Sequence, residues 1–133
     1  MSDLFLYVED DDASRRMMTF LMTRVMKLPN FVVFENSENF MERVRALPEI
    51  PRAIFLDVRV HPHNGYEMLK MLKQDSHYQD VKVVAITATI MPTDVAHFRE
   101  EGFDGLIGKP IRQAMFPDLL HRILRGESVW YVT

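Results

Sequence analysis

Short apolar runs alternate along the chain with longer segments in which apolar residues recur every three or four positions. Leu4 to Val8 is a continuous apolar run, predicted as a buried strand, and it ends in the acidic cluster Glu9-Asp10-Asp11-Asp12. Met18, Leu21, Met22, Val25 and Met26 then return at helical spacing. They give one apolar face to a helix that Asp11 or Asp12 can cap and Pro29-Asn30 stops. Phe31 to Phe34 is a second strand, and Ser37 is the expected N-cap of a helix with Phe40, Met41, Val44 and Leu47 inward. Pro48 and Pro51 bracket the turn into a third strand, Ala53 to Asp57. Gly65 opens a third helix with Met68, Leu69 and Leu72 inward. Val81 to Ile86 is a fourth strand ended by Thr87. A fourth helix runs from about Pro92 to Glu101, with Pro at a favoured first position and Gly102 as its stop. Gly105 to Gly108 is a short fifth strand. Lys109-Pro110 then leads into a last helix from about Arg112 to Arg125, with Leu119, Leu120, Ile123 and Leu124 inward.

Regular alternation of strand and helix predicts an α/β fold. Strands joined through helices run parallel, and the crossovers are right-handed in nearly all cases. The expectation is a doubly wound, five-stranded parallel sheet of order 2-1-3-4-5, a flavodoxin-like (βα)5 arrangement. Such sheets bind ligands beyond the carboxyl ends of the strands, where the strand order reverses, here between the first and third strands. Those strands end in Glu9-Asp10 and in Asp57. Three carboxylates in one small space repel or take up protons unless a cation compensates them, and Mg²⁺ is the economical choice because it prefers oxygen ligands.

The fourth and fifth strands deliver Thr87 and Lys109 to the same edge. A hydroxyl and an ammonium beside a metal and a carboxylate match what phosphoryl transfer requires. The cations neutralise the phosphoryl oxygens, the hydroxyl donates to one of them, and a carboxylate attacks phosphorus. Asp57 is the expected nucleophile.

Composition narrows this further. The 133 residues, 47% of them hydrophobic, suffice for one domain. A formal charge of -3 argues against direct nucleic-acid binding. The absence of cysteine excludes a disulfide framework and thiolate metal sites. No apolar run approaches the ~20 residues needed to span a bilayer, and the start lacks the marks of a secretion signal, so a cytoplasmic protein without a membrane partner is expected. The ten methionines are read as core filling. His61 and His63 lie two apart in the loop after Asp57, spacing open to a transition metal or to plain solvent exposure.

Val8-Glu9-Asp10-Asp11, Phe55-Leu56-Asp57 followed by Gly65, Ile86-Thr87-Ala88, and Lys109-Pro110 stand in an order and spacing that resemble the receiver domain of two-component response regulators. The resemblance runs from Leu4 to about Leu124. It implies that a sensor histidine kinase or a histidine phosphotransfer protein donates a phosphoryl group to Asp57. The chain would then signal to a downstream protein target or act in a relay, catalysing at most its own phosphorylation and dephosphorylation. It implies Mg²⁺ held by Glu9, Asp10, Asp57 and the backbone carbonyl of Arg59, with Thr87 following the phosphoryl group and Lys109 pairing with it. It also implies a cis Lys109-Pro110 peptide.

Several positions depart from the resemblance. Leu106 stands where many receivers carry Tyr or Phe, so an output through Thr87 and the fourth-helix loop is expected. Pro62 comes one place late in its loop. Arg59 and Thr89 occupy positions, two beyond Asp57 and Thr87, that in the family resembled influence access of water to the acyl phosphate. A receiver domain over residues 1–126 is expected, with no effector domain and 127–133 a tail that folds back on it or, as the alternative, makes a partner or dimer contact. Two other readings remain: a Mg²⁺-dependent phosphohydrolase with a nucleophile in Asp10-Asp11-Asp12-Ala13-Ser14, and a receiver-like interaction module that is never phosphorylated. A flavodoxin-like cofactor binder shares the topology but lacks a phosphate-cradling loop after the first strand.

Overall fold

The computed structural model describes residues 3–88 and 92–132. The strands are β1 (Phe5–Val8), β2 (Phe31–Phe34), β3 (Ala53–Asp57), β4 (Lys82–Thr87), β5 (Gly105–Gly108) and β6 (Val129–Tyr131). The helices are α1 (Asp12–Phe20), α2 (Phe40–Arg45), α3 (Gly65–Lys73), α4 (Pro92–Glu101) and α5 (Phe116–Leu124). All strand pairs are parallel, in the order β2-β1-β3-β4-β5-β6. The expected 2-1-3-4-5 order is therefore present, extended by a sixth strand. The tail folds back as expected, and it does so by pairing Gly105, Leu106 and Ile107 with Val129, Trp130 and Tyr131.

The strands read as unbroken apolar runs because both faces of the sheet are covered. Successive side chains point to opposite faces. Leu6, Val8, Ile54, Leu56 and Leu106 thus enter a core with Phe40, Val44, Met68, Leu72 and Phe98. Phe5, Tyr7, Phe55, Ile86 and Ile107 enter another with Met18, Leu21, Phe116 and Ile123. Among the methionines Met18, Met22 and Met68 are core, as expected, whereas Met17 and Met115 are exposed.

The α1 cap is as expected, whereas the α2 cap and the start of α5 differ from expectation. Asp11 caps α1, accepting from the Ser14 amide at 2.8 Å, and the helix continues as a π-helical turn, Leu21–Val25. Ser37 does not cap α2, whose N-cap is Asn39 in a left-handed conformation at φ 50°. Instead, buried Ser37 clasps the loop after β3: its hydroxyl donates to the His63 carbonyl at 2.7 Å and accepts from the His63 amide at 2.6 Å. A hydroxyl serves either job, and the nearby loop claims this one. The last helix starts at Phe116 rather than about Arg112, after a turn with Pro117 in the first helical turn.

Candidate functional site

The carboxyl ends of β1, β3, β4 and β5 meet at one edge. Asp57 is the last residue of β3 and lies in register with Ile86 of β4, next to Thr87. The Lys109 amide donates to the Thr87 carbonyl at 2.8 Å, so β5 runs on alongside β4 and carries Lys109 to the same place. The Lys109-Pro110 peptide is cis, as expected, and so is His61-Pro62.

The chain turns sharply after Asp57. The Gly65 amide donates to the Val58 carbonyl at 3.0 Å. A Cβ at position 65 would stand 2.9 Å from the Val58 Cα, so glycine is what lets α3 start against the peptide that follows Asp57. Asn64 and Glu67 close a reciprocal capping box, each accepting from the other's amide at 2.9 Å.

Glu9 is fully buried, Asp57 is 6% exposed and Thr87 4%, while Asp10 lies at the surface. Carboxylate oxygens of Glu9, Asp10 and Asp57 lie within 4.8 Å of one another, the one group of three or more such ligands among the described residues. His61 and His63 belong to no such group. The Lys109 ammonium pairs with Asp57 Oδ2 and with Glu9 Oε1, the latter at 2.5 Å. The Arg59 amide donates to Asp57 Oδ1 at 2.8 Å, whereas the Arg59 side chain is exposed. Arg15 donates to the Glu9 carbonyl at 3.0 Å, and Tyr7 donates its hydroxyl to Glu9 Oε1 at 2.6 Å.

These contacts separate the two buried carboxyls. Burial, then the hydrogen bond it shares with Asp57, pushes Glu9 up to about 7. Burial acts the same way on Asp57, but the Glu9 side chain, the Lys109 ammonium and the Arg59 amide outweigh it and hold Asp57 below the usual carboxylate range. Burial opposes the charge on Lys109, and its bonds to Asp57 and Glu9 more than offset this and raise it. Asp57 is thus the ionised partner. Two close carboxylates with an exposed third, all offering hard oxygen atoms, suit a cation that takes oxygen ligands and keeps part of its water shell.

The structure brings together every side chain expected at the site: Glu9, Asp10, Asp57, Thr87 and Lys109 share the edge, with the Arg59 peptide against Asp57. Thr89 lies outside the described residues. Sequence reasoning missed Tyr7, whose signal is modest: a polar-tipped residue in an otherwise apolar strand, two before Glu9 and so on the same face.

Comparison with known proteins gives the family. The profile of the response regulator receiver domain matches residues 5–122, and the chain belongs to that family. A two-component response regulator of Oryza sativa subsp. japonica is 25% identical over 118 residues, covering 89% of this chain and 55% of that protein. The polar-differentiation response regulator DivK of Brucella ovis is 31% identical over 74 residues, 56% of this chain and 60% of that one. The chain therefore spans little more than half the length of these relatives. The receiver domain of a DNA-binding response regulator from Colwellia psychrerythraea superposes with a TM-score of 0.81 at 16% identity, covering 93% of this chain and 99% of that one, a likeness of fold. No helix among the described residues is long and apolar enough to cross a membrane.

Proposed function

We propose that the chain accepts a phosphoryl group on Asp57 from a phosphohistidine and signals through the phosphorylated state. The observation that carries this reading is the set of contacts on Asp57: Oδ1 takes the Arg59 amide and Oδ2 the Lys109 ammonium, which holds a buried carboxylate ionised and oriented. An Asp57 oxygen attacks phosphorus, the phosphorus-nitrogen bond breaks, and the imidazole of the donor leaves. Lys109 passes from the two carboxylates to the phosphoryl oxygens, and the Thr87 hydroxyl donates to another of them. Glu9, Asp10, Asp57 and the Arg59 carbonyl would hold Mg²⁺, which when bound supplies positive charge against the phosphoryl oxygens.

The donor in this reading is a sensor histidine kinase or a histidine phosphotransfer protein in the cytoplasm, and the recipient is a downstream protein or the next member of a relay. Neither nucleic acid nor membrane is a direct partner. Catalysis is confined to the chain's own phosphorylation and dephosphorylation.

The test is incubation with Mg²⁺ and acetyl phosphate followed by intact mass. An acid-stable, base-labile adduct of one phosphoryl group is expected, and Asp57→Asn should abolish it. An adduct on Asp10 or steady turnover of phosphate esters would support the hydrolase reading instead. No adduct with any phosphodonor would support an unphosphorylated interaction module.

A further inference from the structure

Tyr7 sits at the centre of β1 with no solvent exposure, between Val33 of β2 and Phe55 of β3. Its ring packs in the apolar cluster that contains Met18, Ile107 and Phe116. The hydroxyl is the one polar group of the side chain. Buried among hydrocarbon, it is costly unless bonded. It donates to Glu9 Oε1 at 2.6 Å. Residues two apart in a strand lie on one face, so backbone geometry fixes Tyr7 below Glu9 and rigid packing fixes the height of its hydroxyl.

Glu9 Oε1 receives Lys109 as well, at 2.5 Å. One oxygen of Glu9 is thereby committed to two donors, and Oε2, reached by the Asp11 amide at 3.3 Å, is the oxygen left to a cation. We propose that Tyr7 is a positioning residue for the cation site, holding Glu9 by Oε1 so that Oε2 is presented beside Asp10 and Asp57. The hydroxyl matters most after Lys109 moves to a phosphoryl group, because Tyr7 is then the donor that keeps the Glu9 carboxylate from rotating. A carboxylate fixed by such a partner binds metal without first losing rotational freedom, and removing a partner of this kind typically weakens binding ~10-fold or more.

This proposal rests on the reading of the acidic group as a cation site. The experiment therefore measures Mg²⁺ binding to the unphosphorylated protein by isothermal titration calorimetry, for wild type and for Tyr7→Phe, which removes only the hydroxyl. Wild type should bind one Mg²⁺, and Tyr7→Phe should bind it about 10-fold more weakly. The near-ultraviolet tyrosine spectrum of wild type should change on Mg²⁺ addition, and that change should vanish in Tyr7→Phe. A hydroxyl that merely satisfies itself at the nearest acceptor would lower the thermal midpoint of Tyr7→Phe and leave Mg²⁺ affinity and the spectral change as in wild type. That result overturns the positioning role while sparing the cation site. Wild type that binds no Mg²⁺ overturns both. The chain holds four tyrosines, so a variant that keeps Tyr7 alone, with Tyr66, Tyr78 and Tyr131 replaced by Phe, reports the change from Tyr7 even if Tyr7→Phe folds poorly, and no change in it overturns the positioning role.

Discussion

Glu9 and Asp57 are two acids in contact whose environments push them in opposite directions. Burial keeps Glu9 protonated up to about 7, and Asp57 stays ionised below the usual range. The consequence for stability has a definite sign. Glu9 is raised in the folded state, so its contribution is full below the unfolded value of 4.5 and is lost as pH rises through about 7. Asp57 is lowered, and its contribution is lost only as pH falls toward and below the unfolded value of 3.8. The metal-free protein should therefore lose on the order of 2 kcal/mol of stability between pH 5 and pH 7.5 through Glu9. Urea unfolding of wild type and Glu9→Gln checks this, because the variant should show a much flatter slope across that window. Mg²⁺ should raise the midpoint more at the higher pH, where both carboxyls are ionised. Arg59 sets a second prediction at this scale. Its amide holds Asp57 whatever its side chain is, and the exposed guanidinium lies two residues beyond Asp57. Arg59→Ala should leave acceptance of phosphate intact and change the lifetime of the adduct. Equal dephosphorylation rates would remove the side chain from that role.

At the scale of elements, β6 is the feature that periodicity could not reveal, since a three-residue run is too short to carry a period. Its place is written in its partner instead. Gly105 has no side chain where Val129 crosses it, and a Cβ there would lie 3.0 Å from the Val129 carbonyl oxygen. Trp130 pairs with Leu106 and lies under the Arg99 guanidinium of α4, 4.8 Å from the ring centre. Leu106, set where many receivers carry an aromatic ring, is fully buried with this tryptophan as its cross-strand neighbour. Trp130→Ala should cost about 2–3 kcal/mol in equilibrium unfolding, less than a fully buried tryptophan because the residue is only partly buried. An unchanged midpoint would mean that β6 adds nothing to the sheet. Ser37 shows the opposite limit. Its side chain was legible as a hydrogen-bonding group next to a helix, but its partner His63 is 26 residues away, and nothing local distinguishes a cap from a clasp.

For the whole molecule, the alternation of apolar runs with helical periods already demanded parallel strands, and parallel strands bring their carboxyl ends to one edge. That is why Glu9, Asp10, Asp57, Thr87 and Lys109 could be grouped from sequence: each follows or ends an apolar run, and the topology does the rest. The continuous runs of β1, β3 and β4 also announced a sheet covered on both faces, as the two cores now show. Sequence by itself thus determined the fold, the gathering of these residues at one edge and the acidic character of that edge, because these depend on order and periodicity. Tertiary structure alone decided which carboxyl keeps the proton, which oxygen of Glu9 Tyr7 holds, what Ser37 bonds and where the last strand goes. Each of those depends on distances of a few ångströms between segments far apart in the chain, and no local pattern encodes them.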